Sequence, residues 1–593
     1  MPPHRNAYRP TVIGTRGVVT SAHPLASMAG IRMLLAGGNA VDAAVAVGST
    51  LNVVEPFMSG AGGIGLMLIS RGRERHVLDF IGCAPKAADA RRCTDDELAG
   101  GPKSCATPGN LGGWLAAIER FGSMDRAGVL RPAIELAESG VPLTFKNVDF
   151  FEAARATLGR SPEAQRLYLA NGGPRAGAVV TYKELAATLR QVAEGGSEAF
   201  YRGPIAKAIA RAVTEAGGWL AEEDLAAFAP EWREPVTIRY REHDVSSVPP
   251  PFSAFQMLET LNILEGFDVQ AWGHNSVDYL HHLIEAIKLG SADRLAYAYT
   301  DDVPIQGLLS KAYARAQRAR IDPVRAGRSE GERHNRARLA DEIREGHPAS
   351  FQNEQTTHFA CADASGTVVS VTQTLGVPFG SGFAVPGTGL VLNNILKWMD
   401  RDLESPNVLR SGKKAGTMMS PTQVFRDGAF AMSIGTPGSY GILQTTPQML
   451  VRFRSDVIDL KPAVLVILAG INDIAQNTGP MTLEETFGNI ISMVELAKAN
   501  KIRPVISSVL PAYDFPWRPG MHPAEKVIEL NAMLKEYAAK NKVVYLDYFS
   551  AMKDDRNGLP ASLSSDGVHP NLAGYKIMEP LAEKAIQEAL KQK

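Results

Sequence analysis

The sequence predicts an α/β protein with more than one domain, and three observations carry this prediction. The chain has 593 residues, whereas a single domain usually spans roughly 100–200. Up to about residue 450, glycine-rich turns, alanine-rich helical stretches and strand-like segments follow one another. Beyond that point, short apolar runs alternate with helices, which is the βαβ pattern of a parallel sheet.

Composition limits the partners and the location to be expected. The 62 lysines and arginines nearly cancel the 63 aspartates and glutamates, so neither nucleic acid nor a membrane surface is expected as a partner. The N-terminus has no apolar signal-peptide core, and no window approaches the ~18 apolar residues of a spanning helix, so we expect a cytoplasmic protein. Four scattered cysteines favour a reduced chain, with a Cys83–Cys105 pair as the alternative.

The first elements are a strand, two helices and a glycine-rich turn. Residues 17–56 begin with strand-like GVVTSAH and continue into two helices that Gly37 and Gly38 separate, with Asn39 as the cap of the second. The segment SGAGGIGLMLISRG at 59–72 then feeds a buried strand. It lacks the Lys-Ser/Thr ending of a phosphate-binding P-loop, so close backbone packing is the favoured interpretation of its glycines.

The middle of the chain is helix-rich and ends in a charged segment. Residues 110–235 and 276–298 read as helical, and in the second of these His282 and Glu285 lack the third ligand that a metal site would need. We therefore expect no metal. The polar stretch 324–355 then leads into a β-hairpin that starts with Thr356 and Thr357.

A threonine at such a junction is a candidate nucleophile. Its hydroxyl reacts poorly without a base, and backbone cleavage that leaves the threonine at a new N-terminus supplies its own α-amine as that base. The alternative is that Thr356 and Thr357 simply start an edge strand, because threonine is common in strands.

Six motifs favour the first interpretation. The string TTHFACADASGTVVSVTQTLGVPFGSGF at 356–383 resembles the start of the small subunit of gamma-glutamyltransferases. Further motifs resemble the same family in the same order: GGNAVDAAVA at 37–46, VVEPFMSGAGG at 53–63, DRLAYAY at 293–299, GLVLNN at 389–394 and MSPTQVFRDG at 419–428. Together they cover about residues 15–450. The resemblance implies an αββα N-terminal nucleophile (Ntn) hydrolase that cuts itself between Gln355 and Thr356.

The resemblance also implies roles for individual residues. Thr356 corresponds to the nucleophile and the free amine, and Thr374 to the threonine whose hydroxyl positions it. Gly438 and Ser439 stand where the family has a Pro-Gly-Gly turn, whose backbone N–H groups form the oxyanion hole. No cofactor is needed for this chemistry.

Two departures from the family bear on the substrate. Ile81 stands where the family has the arginine that binds the α-carboxylate of a γ-glutamyl group, and Trp398 where it has the aspartate that binds the α-amine. Apolar side chains cannot hold a zwitterion, because its buried charges would be unpaired. We therefore expect weak γ-glutamyl specificity and an amide or acylated amine as the small-molecule substrate.

The C-terminal part resembles a different family, the SGNH (GDSL-type) hydrolases. The strings VLVILAGINDIA at 464–475 and SSDGVHPNLAGY at 564–575 carry this resemblance. It implies oxyanion contacts from Gly470 and Asn472, and the acid and base of a catalytic triad in Asp566 and His569. No Gly-Asp-Ser string, which would hold the nucleophile, occurs in the chain, so we expect a partial three-layer αβα (flavodoxin-like) fragment.

The two resemblances meet in the string QTTPQML at 444–450, which both families share. The expected organisation is therefore a large-subunit region at 1–355, the start of a small subunit at 356–450 and a partial SGNH domain at 451–593. Self-cleavage would make the two amidohydrolase fragments partners of each other. The alternatives are an SGNH-type esterase with Ser564 or Ser565 as a replacement nucleophile, and an inactive chimeric fusion.

Overall fold

The computed structural model divides the chain into two compact units, one spanning Ile13–Arg452 and the other containing Phe453–Lys593. Each is described by itself. The residues that the structure describes are 14, 16–170, 173–269, 271–273, 276–299, 302–327, 355–438, 441–453, 464–475, 482–499, 503–516 and 520–591.

The strands of the first unit are β1 (Gly17–Thr20), β2 (Ile64–Arg71), β3 (Glu74–Phe80), β4 (Val141–Pro142), β5 (Val179–Val180), β6 (Glu231–Arg233), β7 (Val236–Tyr240), β8 (His243–Ser247), β9 (Gln355–Asp363), β10 (Val368–Gly376), β11 (Ala384–Val385), β12 (Leu390–Val391), β13 (Thr422–Arg426) and β14 (Ala429–Ile434). They form two main antiparallel sheets and two short two-stranded ones, β4-β5 and β11-β12. The larger main sheet has the strand order β1-β9-β10-β2-β3-β6 and the smaller has the order β14-β13-β8-β7.

This unit also contains helices, some of which cover the outer faces of the two main sheets. They are α1 (Pro24–Leu35), α2 (Ala40–Val54), α3 (Asp95–Ala99), α4 (Asn110–Phe121), α5 (Arg126–Ser139), α6 (Phe145–Ala153), α7 (Arg155–Leu158), α8 (Pro162–Tyr168), α9 (Lys183–Tyr201), α10 (Pro204–Glu215), α11 (Glu222–Ala226), α12 (Ala254–Leu264), α13 (Val277–Tyr297), α14 (Ile305–Leu308), α15 (Lys311–Arg318) and α16 (Gly441–Phe453).

Helix α2 shows how local sequence produces this layering. Asn39 caps it as predicted, since its side chain accepts hydrogen bonds from the N–H groups of Val41 and Asp42 while Asp42 accepts one from the N–H of Asn39. Every residue of α2 is buried. Small side chains permit this close approach: a Cβ at Gly48 would lie 3.1 Å from the indole nitrogen of Trp114.

The two sheets stack face to face. Gln423 of β13 donates to the carbonyl of Leu68 in β2 (3.0 Å), and the hydroxyls of Ser370 in β10 and Ser433 in β14 are 2.6 Å apart. On the far side of the smaller sheet, α12 packs Met257 and other apolar residues against the strands. The architecture is therefore αββα, which confirms the predicted Ntn hydrolase class.

The second unit is a three-layer αβα fold, as predicted. Its strands β15 (Val464–Ile467), β16 (Arg503–Ser507) and β17 (Val544–Leu546) form a parallel sheet in that order. Its helices are α17 (Ile471–Ile474), α18 (Leu483–Ala499), α19 (Ala524–Lys540), α20 (Tyr548–Met552) and α21 (Leu572–Lys591). One apolar cluster packs α18 and α19 on one face of the sheet, and another packs α21 on the opposite face.

Several smaller expectations can be compared with the structure. All four cysteines are free, so the alternative Cys83–Cys105 pair does not form. His282 is buried and its ring stacks on Trp272, with centroids 4.2 Å apart. Among the described residues, no group of three or more metal-ligating side chains could hold a metal ion. No helix in the described part of the chain is long and apolar enough to span a bilayer.

Candidate active site

The β9–β10 hairpin places Thr356 at the start of a central strand. Thr356 is 4% exposed. Because alternate residues of a strand point to opposite faces, Thr356 shares a face with His358, and Thr357 shares the other with Phe359. His358 bonds to Thr372 on the face between the sheets, whereas Phe359 packs into the helix-covered core. Thr356 therefore points between the two sheets.

A β-bulge lies directly opposite Thr356. Thr357 pairs with Gln373 and Gln355 pairs with Gly376, so Thr374 and Leu375 together oppose the single residue Thr356. Thr374 is fully buried, and its hydroxyl accepts a hydrogen bond from the N–H of Gly376 at 2.9 Å. Bulges re-aim side chains and are common next to active sites. The two threonines predicted to act together are brought face to face.

The glycine-rich segment at 59–63 packs against this bulge. A Cβ at Gly63 would lie 2.4 Å from the carbonyl oxygen of Thr374, and one at Gly62 would lie 2.1 Å from that of Val391. The carbonyl of Met58 accepts a hydrogen bond from the N–H of Leu375 (3.1 Å). Close backbone packing, the favoured interpretation of these glycines, is confirmed.

The Asn393-Asn394 pair contacts both the bulge and the glycine-rich segment. Asn394 accepts a hydrogen bond from the N–H of Val377 (3.2 Å), and its own N–H donates to the carbonyl of Leu375 (2.9 Å). Asn393 is fully buried and donates to the carbonyl of Gly62 (2.8 Å). The two asparagines of the motif GLVLNN therefore link the bulge to the glycine-rich segment.

His358 connects the hairpin with the strand that leads to the predicted oxyanion turn. Its Nδ1 lies 2.9 Å from the Thr372 hydroxyl, and a Cβ at Gly435 would lie 2.3 Å from the ring. Burial lowers the pKa of His358 to about 4, so the imidazole is neutral at pH 7. Gly435 follows β14 directly, so His358 brings the end of that strand against β9.

The remaining residues predicted for the cut and the turn are only partly described. Gln355 is the first described residue of β9, and its side chain lies outside the described part. Gly438 is exposed and has φ +124°, a conformation that favours glycine. Ser439 lies outside the described residues.

Ile81 and Trp398, predicted as substrate-pocket residues, belong to one apolar cluster. Ile81 is 1% exposed within that cluster, and the half-buried Trp398 packs against it. Trp398 lies in a 3-10 turn, Ile395–Trp398, that follows Asn394 directly. Only this turn separates Trp398 from Asn394, which is hydrogen-bonded to the bulge opposite Thr356.

A charge network surrounds the buried Asp79, two residues before Ile81. Asp79 is fully buried and pairs with Lys414 (2.7 Å) and Arg233 (3.1 Å). Glu231 pairs with the same two cations, at 2.7 and 2.6 Å. Sequence reasoning missed this network, as it missed the roles of His358 and the two asparagines. The Asn-Asn pair stands inside GLVLNN, one of the motifs that carry the resemblance, and Asp79 stands two residues before the position compared at Ile81; these were the available signals.

In the second unit the structure brings together Asp566 and His569. Nδ1 of His569 is 2.7 Å from a carboxylate oxygen of Asp566, whose other oxygen accepts the N–H groups of Val568 and His569. Partial burial acts in the opposite direction, but these hydrogen bonds hold the pKa of Asp566 well below its usual range. An acid–base pair is therefore preformed.

The other residues predicted for this site are placed differently. Gly470 is the N-cap of α17 and has φ +115°. It is not among the described residues that line the cleft beside Asp566. The side chain of Asn472 is outside the described part. Ser564 is buried, and its single hydroxyl proton has two acceptors within reach, Asp566 at 3.0 Å and the carbonyl of His569 at 2.8 Å, while its oxygen accepts the N–H of Gly567. Ser564 therefore stabilises the loop at 564–569 through these hydrogen bonds, and the bonds do not direct its hydroxyl at the imidazole of His569 as a nucleophile would require.

Comparison with known proteins identifies the family of the first unit. A family model described as Gamma-glutamyltranspeptidase matches residues 26–465, which is well over half of the chain. The chain belongs to the gamma-glutamyltranspeptidase family. It is accordingly an Ntn-type enzyme of a family that hydrolyses amides and transfers acyl or γ-glutamyl groups.

Relatives of this family enzyme are similar over most of their length. An acylase ACY 1 proenzyme from Pseudomonas sp. (strain SE83) is 35% identical over 82% of this chain and 88% of its own. A glutathione hydrolase proenzyme from Escherichia coli (strain K12) is 34% identical over 74% and 77%. Among solved structures, cephalosporin acylase from Bacillus halodurans matches with a TM-score of 0.66 and 30% identity, over 75% of this chain and 82% of that one.

A second family model, described as GDSL-like Lipase/Acylhydrolase family, matches residues 424–577. This confirms the second resemblance. The two models overlap over residues 424–465, and the shared string at 444–450 lies within that overlap.

Proposed function

We propose that this family member is a self-cleaving threonine amidohydrolase. It cuts its own chain between Gln355 and Thr356 and then acts on amide or acyl-amine substrates, with weak γ-glutamyl specificity. The observation that carries the proposal is the bulge of Thr374 and Leu375 opposite Thr356, which sets two buried threonines against each other on adjacent strands.

Self-cleavage begins with the hydroxyl of Thr356. The oxygen attacks the carbonyl carbon of Gln355, the Gln355–Thr356 C–N bond breaks, and the Thr356 nitrogen takes up a proton. The resulting ester is hydrolysed by water, which leaves a Gln355 carboxylate and a Thr356 with a free α-amine. An ordinary α-amine has a pKa near 8, so it can act as a base near neutral pH.

Turnover uses the same atoms. The α-amine accepts the hydroxyl proton of Thr356 as the oxygen attacks a substrate amide carbon, and it returns that proton to the leaving amine. The backbone N–H groups at Gly438 and Ser439 are proposed to stabilise the oxyanion, an effect typically worth ~10²–10³ in rate for each donor. Water, or a second amine, then releases the acyl group.

Weak γ-glutamyl specificity is supported by the surroundings of Ile81 and Trp398. Ile81 is enclosed in an apolar cluster that includes Ile395 and Leu396, and Trp398 packs on it. An α-amino acid head group placed there would lose its hydration without gaining a charged partner. The acylases among the relatives are consistent with a different acyl group, since they are named as acylases and not as γ-glutamyl enzymes.

The test is denaturing electrophoresis of the purified full chain with N-terminal sequencing of each band. Two fragments, the smaller beginning Thr-Thr-His-Phe, are expected from the unaltered protein, and one uncut chain from Thr356→Ala. The matched control is Thr357→Val, because Thr357 is the neighbouring buried threonine on the opposite face of β9 and valine keeps its shape. Cleavage that persists in Thr356→Ala, or that is lost equally in Thr357→Val, contradicts the proposal.

A second candidate function is ester hydrolysis by the C-terminal unit. The preformed pair of Asp566 and His569 favours it, and the bonding of Ser564 opposes it, because that hydroxyl is already committed to the loop. Hydrolysis of p-nitrophenyl acetate by the full chain, abolished in His569→Ala and retained in Thr356→Ala, would establish this activity. Equal rates in the unaltered protein and His569→Ala would exclude it.

A further inference from the structure

A carboxyl group is fully buried where three helices of the first unit meet. Glu259 of α12 is 0% exposed. Gln256, one turn earlier in α12, donates to the hydroxyl of Ser291 in α13 (3.0 Å), and Arg318 of α15 donates to the carbonyl of Ile263 in α12 (3.2 Å). Residues three apart lie on the same face of a helix, so Glu259 points toward α13, and α15 packs beside this junction.

Glu259 lacks the hydrogen-bond donors that an ionised carboxylate needs. Neither of its oxygens accepts a hydrogen bond from any residue in the described ranges. The amide of Gln317 in α15 lies close by, but its nitrogen donates to Asp293 and Tyr313, each at 2.8 Å. A buried carboxylate without donors is costly. The geometry therefore favours the protonated, uncharged form of Glu259.

Asp293 of α13 is placed to share that proton. It lies within hydrogen-bonding reach of Glu259. Its Oδ2 accepts hydrogen bonds from the Tyr313 hydroxyl (2.9 Å) and the Gln317 amide (2.8 Å), and these bonds favour the ionised form of Asp293. Two carboxyl groups can bond to each other only when one carries a proton, so Glu259 donates and Asp293 accepts. The first residue of the motif DRLAYAY at 293–299 thus has a role that the proposed catalysis does not use.

Burial and charge act on this pair in the same direction. Burial raises the pKa of Glu259 above its ordinary value of 4.5, and Asp293 raises it further, while Gln317 acts in the opposite direction. Burial also raises the pKa of Tyr313, and the same two carboxyl groups and Tyr297 raise it further. No cation in the described part of the chain acts on Glu259. The proton is therefore what compensates the second carboxyl group.

The other charged groups around α12 are engaged elsewhere. Lys311 of α15 pairs with Glu265 beyond the end of α12 (2.6 Å), and Arg294 of α13 donates to the Tyr299 hydroxyl (3.3 Å). Helix α14 has no ionisable residue. Strands β7 and β8 pack against the opposite face of α12, which carries Met257. Their ionisable side chains therefore lie across the helix from Glu259; they are Arg239, Tyr240, His243 and Asp244.

We propose that Glu259 and Asp293 hold one proton in common, and that this proton fastens α12 to α13 and α15 until rising pH removes it. Above pH 4.5 the unfolded chain gives up the Glu259 proton while the folded chain keeps it. The stability that the proton supplies is therefore full below pH 4.5 and is lost as the pH rises. Because α12 also packs on the smaller sheet, through Met257 and Val424, alkaline conditions loosen the helices that cover this sheet. The inference does not depend on cleavage at Thr356.

The first test follows the unfolding of the first unit between pH 7 and 8.5. The chain is compared with Glu259→Gln, both in the Thr356→Ala background so that neither protein is cut. Glutamine keeps the size of Glu259 and can donate an N–H to Asp293 at every pH. The ratio of the two unfolding equilibrium constants should therefore rise by up to about tenfold per pH unit, which corresponds to one released proton. A ratio that stays constant over this range overturns the proposal.

The matched control is Glu265→Gln, the same substitution at a carboxylate of the same region that pairs with Lys311. It should leave the pH dependence in place and should not raise stability. Glu259→Gln should instead lower the unfolding equilibrium constant at pH 8 by about tenfold or more, because the cost of keeping a carboxyl protonated is removed. Equal changes in the two variants would count against a proton held at Glu259.

Infrared spectroscopy detects the proton directly and can be carried out on the unaltered protein. At pH 8 this protein should show the C=O stretch of a protonated carboxyl group, and Glu259→Gln should lack it. Absence of the band from the unaltered protein overturns the proposal. So does selective stabilisation of the unaltered protein by Na⁺ or Ca²⁺ at pH 8 that Glu259→Gln does not show, because a bound cation would then take the place of the proton.

Discussion

Thr356 and Thr357 are identical neighbours, and the pleat of β9 gives them different surroundings. Thr356 faces the space between the sheets, where the bulge with Thr374 stands opposite, while Thr357 faces the helix-covered core with Phe359. Both side chains are nearly inaccessible, at 4% and 2% exposure. At the residue scale, the chemistry is proposed for one threonine and not the other because their side chains lie on opposite faces of β9, not because the residue types differ.

His358, on the same face as Thr356, makes stability depend on pH. Its folded-state pKa is about 4, below the ordinary value of 6.5, because it is buried. Between these values the unfolded chain binds a proton that the folded chain does not, so stability is full above pH 6.5 and is lost as pH falls toward 4. The slope that one such group contributes approaches about 1.4 kcal/mol per pH unit.

The measurement is the free energy of unfolding of the first unit between pH 7 and 4, in the unaltered protein and in His358→Gln. Glutamine cannot take up a proton, so its curve should be flatter by about that slope. Parallel curves for the two proteins over this range would contradict a neutral, buried His358.

At the element scale, the hairpin is shaped by the loops that pack on it. The glycine-rich loop and the Asn-Asn pair both contact the β10 bulge, through Met58, Gly63 and Asn394. A bulge needs such support, because its extra residue lacks the regular ladder hydrogen bonds. Met58 and Gly63 are more than 300 residues from the bulge in the chain, and Asn394 lies beyond the end of β10, so the local strand pattern does not reveal these contacts.

Gly63→Ala should therefore disturb the site from outside it. The new Cβ would lie 2.4 Å from the carbonyl oxygen of Thr374, so either the loop or the bulge has to move. We expect self-cleavage to slow by about tenfold or more, since misplacement by about 1 Å can cost ~10²-fold in rate. Time courses of fragment appearance on denaturing gels measure this effect.

The matched control is Gly307→Ala, at a helical glycine of α14 with no atom within 4 Å of the added Cβ. Cleavage by Gly307→Ala should equal that of the unaltered protein. Unchanged cleavage in Gly63→Ala would mean that this contact does not support the bulge.

At the scale of the whole molecule, the chain consists of two compact units with separate cores. Leu51 is fully buried in the first unit and Leu530 in the second. Removing a buried leucine side chain usually costs about 2–5 kcal/mol, and changes at distant, independent sites are additive. We expect two unfolding transitions in calorimetry. Leu530→Ala should lower the midpoint temperature of only one of them, and Leu51→Ala that of only the other.

Self-cleavage provides a second readout of the same independence. Leu530→Ala should leave the rate of cutting at Thr356 unchanged, because that site is built entirely from residues of the first unit. A single transition that both substitutions lower equally, together with slower cleavage in Leu530→Ala, would show that the two units fold as one.

The sequence by itself determined the elements and the family. Capping by Asn39, the strand pattern after Thr356 and the βαβ alternation beyond residue 450 all depend on neighbours within a few residues, so local propensity and periodicity suffice. The motifs also assigned the roles of nucleophile, pocket residues and acid–base pair to numbered residues, namely Thr356, Ile81, Trp398, Asp566 and His569.

Only the tertiary structure decided which of these residues contact one another and which other residues surround them. The bulge opposite Thr356 forms between two strands joined by a turn, and the Asp79–Lys414 pair forms between segments more than 300 residues apart. Their physical origin is the stacking of two sheets and the burial of polar groups, each of which must find a partner wherever the fold brings one. Neither the cations that pair with Asp79 nor the face of the sheet that Thr356 occupies can be read from residue order alone.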